Sequence, residues 1–224
     1  METSNSMVKA VILDMDGVMV DTEPVQHKAF CWLVEREGKQ PKLHPNGLVH
    51  WVGITERENV ARLKEKYGLR GKIEEMVKER QKYYQNLLKT ELRPMPGLDS
   101  LIDLLRDRGI PMAIASSSAI ENVEIVLKAL RLQEVIKVVV SGTEVKRGKP
   151  APDVYLKAAQ DLGVEVKNCW VIEDAANGIE AGKRAGMRVI AVTSQYTRDQ
   201  NFSKADRIVN SLGDVTGDMI GSAS

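Results

Sequence analysis

Hydrophobic and polar positions follow two rhythms along this chain. Residues 8–13 form a short, β-branched apolar run, the composition of a strand buried on both faces, and it ends abruptly in Asp14-Met15-Asp16-Gly17. From 24 to 90 no strand-like run follows; apolar residues at helical spacing predict helices over 25–35, 56–66 and 73–88. Thr55 and Glu58 have the spacing of a capping box at the second helix, and Gly68 and Gly71 separate it from the third. Pro94-Met95-Pro96-Gly97 breaks this pattern. Beyond it, predicted helices over 98–108 and 120–130, from Pro152 to 162 and over 176–185 alternate with strands over 110–116, 135–140, 169–173 and 188–193, and a short last strand over 205–209. The tail after 212, rich in glycine and serine, gives no prediction. Such alternation means a doubly wound parallel sheet. The first strand can be buried only by joining it, so the expected fold is an α/β core, residues 1–22 and 92–224, interrupted by an all-helical cap, residues 23–91.

Composition narrows the partners. At 224 residues and 43% hydrophobic, the chain can fill one sizeable core and a small accessory module. Lysine and arginine number 32 against 31 acids, a formal charge of +1, which gives no electrostatic footprint for nucleic acid. No apolar run approaches membrane-spanning length, and residues 1–7 lack the apolar region of a signal peptide. No membrane association, a cytoplasmic location and a monomer are the expectations. Cys31 and Cys169 lie far apart and outside any metal or redox spacing, and are expected to be small buried residues.

The candidate chemistry lies at the carboxyl ends of the predicted strands, where open α/β sheets bind ligands. Asp14 and Asp16 end the first strand. Taken alone, Asp-x-Asp-Gly fits a turn or the start of a calcium loop, but Met19 and Val20 follow where further oxygen ligands would be needed. Ser116, Ser117 and Ser118 end the next strand just before a helix, so hydroxyls and free amides point at an anion. Lys149 is delivered by a loop stiffened by Pro150, and Glu173 and Asp174 end a later strand. Together these residues suit a phosphate ester. Asp14 is the expected nucleophile, forming an aspartyl phosphate. A carboxylate attacking a dianion needs positive charge, expected from Mg2+ held by Asp14, Asp174 and the main-chain carbonyl of Asp16, with Glu173 bound directly or behind these ligands. Lys149 adds a second cation, Ser116 and the amides after it fix the phosphate, and Asp16 serves as acid and then base.

The chain resembles the haloacid dehalogenase superfamily, in the subgroup with a helical cap after the first motif. Four motifs carry the resemblance in order: Asp14-Met15-Asp16-Gly17, Ser116, Lys149-Pro150, and Glu173-Asp174 with Gly178. It implies a Rossmann-like core, magnesium and the roles given above, and it excludes dehalogenation, whose enzymes lack an acid equivalent to Asp16. Within the superfamily the chain is similar to β-phosphoglucomutase-like phosphatases of small sugar phosphates. There the cap selects the substrate, so Gly53, in the loop Gly53-Ile54-Thr55, and the basic residues Arg57 and Arg80 are expected to contact it, beside Ser117 in the core. The mutases carry a cap histidine near the position of Gln26 and an arginine where Glu56 stands; His27 and Arg57 are each one place away. On a helix one place is a large rotation, which favours a phosphatase over a mutase. A non-catalytic module that binds a phosphometabolite is the alternative of another class.

Overall fold

The computed structural model describes residues 8–44, 47–51 and 54–220, in two compact units: Met1–Asp21 with Arg93–Ser224, and Thr22–Leu92. In the first, six parallel strands form one sheet in the order β3-β2-β1-β4-β5-β6, namely β1 Ala10–Leu13, β2 Met112–Ser116, β3 Val138–Ser141, β4 Cys169–Glu173, β5 Arg188–Val192 and β6 Arg207–Val209. β1 lies between β2 and β4, with Leu13 level with Ile114 on one side and Ile172 on the other. The connection from β1 runs to β2 on one side and that from β4 to β5 on the other, so the direction of winding reverses at this point. The residues that follow β1, β2 and β4 are therefore brought to one edge, the crevice where a doubly wound sheet takes its ligand.

β1 is an unbroken apolar run because both of its faces are covered; every residue from Ala10 to Leu13 is fully buried. Ala10, Ile12, Ala113, Val171 and Val189 share one core with Tyr155, Ala158 and Ile179. Fully burying each large apolar side chain there contributes about 1.5–3 kcal/mol. The crossover helices are α4 Leu98–Asp107, α5 Ile120–Leu130, α6 Asp153–Leu162 and α7 Ala176–Arg184. β3 starts at Val138, three residues later than the apolar run predicts. The N–H groups of Val135 and Ile136 donate to the Leu132 carbonyl, so 135–136 belong to the turn that closes α5. The tail without a prediction forms a 3-10 turn at Leu212–Asp214 and a single helical turn at Gly217–Ile220.

The second unit contains α1 Glu23–Glu35, α2 Glu56–Tyr67 and α3 Ile73–Glu91, whose core joins Phe30, Leu33, Val60, Leu63 and Met76. Thr55 Oγ1 accepts the Glu58 N–H at 3.2 Å, which caps α2, while the Glu58 carboxylate turns to Arg62 at 2.7 Å and leaves the box half made. Gly68, at φ 58°, ends the helix in the left-handed conformation that glycine adopts without penalty. Among the described residues no helix is long and apolar enough to cross a membrane.

Candidate active site

Asp14 stands one residue beyond β1 and is 7% exposed. Lys149, in the loop before α6, reaches it with Nζ 2.5 Å from Oδ1 and also donates to Glu173 Oε1 at 2.7 Å and the Ala115 carbonyl at 3.0 Å. One ammonium thus joins the ends of β1, β2 and β4. Short charge-assisted bonds of this kind fix geometry as well as charge.

Glu173 is saturated. Its Oε1 accepts from Lys149 and, at 2.8 Å, from the Tyr155 hydroxyl; its Oε2 accepts the N–H groups of Asp174 at 2.9 Å and Ala175 at 3.1 Å. Two bonds to each oxygen use the acceptor capacity of a carboxylate. The side chain therefore acts as a peg that sets the loop after β4, and leaves Asp14 and Asp174 as the carboxylates turned to other work. Two glycines make room. A Cβ on Gly178 would lie 1.6 Å from Glu173 Oε1, and one on Gly17, which also has φ +80°, would lie 2.2 Å from Asp174 Oδ2.

The electrostatics are those of a site short of positive charge. Burial pushes the Asp14 carboxyl up to about 8; Lys149 pulls it down, while Glu173 and Asp16 add to the rise. Burial also raises Asp174 well above the ordinary carboxylate range, reinforced by Glu173, Asp14 and Asp16. For Lys149 burial acts downward, but Asp14 and Glu173 overcome it and hold the ammonium well protonated. Carboxylate oxygens of Asp14, Glu173 and Asp174 lie within 4.8 Å of one another. With Glu173 held by its four donors, the buried oxygens of Asp14 and Asp174, hard donors with a deficit of positive charge, fit a small divalent cation.

At the end of β2, Ser116 is fully buried and Ser117 exposed. Asp16 is half-buried, and its Oδ2 accepts from Ser118 Oγ at 2.8 Å and from Ser116 Oγ at 3.4 Å. The structure thus gathers Asp14, Asp16, Ser116, Lys149, Glu173 and Asp174 at one sheet edge.

The residues of the helical unit expected to contact substrate fare differently. Gly53 lies outside the described residues. Arg57 is exposed and paired with Glu74 at 3.0 Å. Arg80, expected to reach a substrate, is 1% exposed inside the helical unit. Its guanidinium donates to Glu56 at 2.7 Å and to Gln26, and stacks 3.9 Å from the Phe30 ring centroid. It is a core cation of that unit, and the reason is legible: Met76, Arg80, Tyr84 and Leu87 follow helical spacing along the buried face of α3. Tyr155 is a site residue that motif reasoning missed; it lies two positions into α6, where an apolar residue is unremarkable, and its partner Glu173 is distant in sequence.

The family model described as haloacid dehalogenase-like hydrolase matches residues 11–192. The bifunctional riboflavin kinase/FMN phosphatase of Arabidopsis thaliana is 33% identical over 219 residues; the match covers 96% of this chain, which spans only 57% of that protein's length. The phosphorylated carbohydrates phosphatase of Thermotoga maritima is 32% identical over 185 residues, covering 82% of this chain and 84% of its own. Among solved structures, a variant of CbbY from Rhodobacter sphaeroides in complex with xylulose-1,5-bisphosphate has a TM-score of 0.78 at 27% identity, covering 93% of this chain and 96% of that one. The chain belongs to the haloacid dehalogenase-like hydrolase family.

Proposed function

We propose that the chain is a magnesium-dependent phosphatase of small phosphate monoesters, sugar phosphates foremost, that works through an aspartyl phosphate on Asp14. The observation that carries this reading is the buried Asp14 carboxylate, tied at 2.5 Å to Lys149 beside Glu173 and Asp174. Asp14 attacks phosphorus, and the ester oxygen leaves with the proton of Asp16. Asp16, now a carboxylate, then takes a proton from the water that cleaves the aspartyl phosphate. Lys149 keeps Asp14 oriented and screens the phosphoryl oxygens, and Ser116 with the Ser117 amide holds them in line. Magnesium, held by Asp14, Asp174 and the main-chain carbonyl of Asp16, would supply the remaining positive charge against the dianion. Glu173 acts behind these ligands, through Lys149 and the loop of Asp174.

Two relatives named as phosphatases, one of phosphorylated carbohydrates, support the substrate class. Mutase chemistry needs a cap histidine able to move a proton. Both ring nitrogens of His27 are instead engaged inside the helical unit, Nδ1 accepting the Val49 N–H at 3.1 Å and Nε2 lying 3.5 Å from Cys31 Sγ, which favours hydrolysis. The test is phosphate release from a panel of sugar phosphates and other monoesters, with magnesium and with chelator. Magnesium-dependent release is expected. Silence on every ester, with isomerisation of β-glucose 1-phosphate, would replace the reading with the mutase; silence in both assays would favour a binding module.

A further inference from the structure

A general acid works only if its carboxyl is aimed at the oxygen that leaves. Asp16 sits in the turn after β1 and has a specific holder in the turn after β2: Ser118 Oγ donates to Asp16 Oδ2 at 2.8 Å, against 3.4 Å from Ser116. Ser118 is itself fixed from two sides. Its N–H donates to Ser116 Oγ at 3.0 Å, and its carbonyl accepts the hydroxyl of Ser141 at 2.7 Å. Ser141, fully buried at the end of β3, is anchored by its own N–H to Glu144 Oε2 at 2.7 Å and by the Thr143 N–H to its Oγ at 3.2 Å. Gly142 closes the contact, since a Cβ there would lie 3.0 Å from Ser117 Cα. A continuous set of bonds therefore runs from β3 through the serine turn to Asp16. A serine that merely capped α5 would need none of this; the N-cap residue of that helix is Ala119.

We propose that Ser118 is a positioning residue for Asp16: its hydroxyl donates to Oδ2 and fixes the orientation in which the carboxyl delivers its proton to the leaving oxygen. As the Asp14 oxygen bonds to phosphorus, the phosphorus–ester oxygen bond breaks, its electron pair stays on that oxygen, and the Asp16 carboxyl proton joins it. The inference rests on the phosphatase reading.

Leaving-group dependence tests it. A phenolate such as p-nitrophenolate departs without a proton, whereas a sugar alkoxide does not. The alkyl-to-aryl ratio of kcat/KM therefore reports proton donation and is blind to general structural damage. The wild type is compared on p-nitrophenyl phosphate and on the alkyl phosphate it turns over best, beside Asp16→Ala, Ser118→Ala and Ser118→Thr. Loss of one hydrogen bond to a charged or acidic group is expected to lower the ratio about tenfold in Ser118→Ala, with a larger fall in Asp16→Ala and recovery in Ser118→Thr, which restores the hydroxyl. An unchanged ratio in Ser118→Ala, while Asp16→Ala lowers it, overturns the role of Ser118 alone. An unchanged ratio in Asp16→Ala removes the acid assignment, and a wild type inert on both esters removes the phosphatase reading; the inference falls in either case.

Discussion

Glu173 accepts four hydrogen bonds, two on each oxygen, and one of its donors is a phenol that no catalytic motif contains. Removing that donor in Tyr155→Phe should cost about 1–2 kcal/mol of stability and raise the magnesium concentration needed for half-maximal activity, because the loop that carries Asp174 loses part of its anchor. A thermal melt and a magnesium titration check this; a variant with unchanged magnesium demand would mean that Tyr155 only packs. The acids, Lys149 and Ser116 were legible in the sequence because each ends a strand or sits in the loop before a helix, and α/β topology alone sends such positions to one edge. Tyr155 and the grip of Ser118 on Asp16 were not, since both depend on partners 18 and 102 residues away in sequence whose register only the folded sheet sets.

At the scale of elements, α3 shows how one side chain changes the meaning of a helix. Arg80 is basic and so invites a role in binding anions, yet its place in the stripe of Met76, Tyr84 and Leu87 puts it inside the helical unit. Burial pulls its pKa down, and Glu56 opposes that fall. Arg80→Ala removes the ion pair to Glu56, the bond to Gln26 and the cation stacked on Phe30, and empties a buried site, which is expected to destabilise the protein by about 2–5 kcal/mol. A raised KM at unchanged melting temperature would instead restore a substrate contact. The turn from β4 into α7 makes a matching demand: Gly178→Ala would push a methyl group into the Glu173 carboxylate. Turnover should fall at least about tenfold as Glu173 and Lys149 shift, whereas activity at the wild-type level would show that the loop absorbs the methyl group. The start of β3 moved because backbone hydrogen bonding beyond the end of α5 outcompeted an apolar run.

For the whole molecule, the order β3-β2-β1-β4-β5-β6 gathers acids from two strands at one edge, and a single lysine does not balance them. A divalent cation should therefore stabilise the folded chain by mass action. Adding magnesium to the metal-free protein is expected to raise the melting temperature, chelator to reverse the rise, and Asp174→Asn to abolish most of it; an equal rise in that variant would place the cation elsewhere. The most direct measurement of the central claim is chemical trapping of the intermediate. The protein is mixed with a sugar phosphate bearing radioactive phosphorus, quenched in acid within one turnover and digested, and the label is mapped. A base-labile label on the peptide containing Asp14, absent from Asp14→Asn, whose phosphate release falls at least about a thousandfold, is the predicted result. Steady phosphate release with no label on the protein, and undiminished in Asp14→Asn, would contradict it.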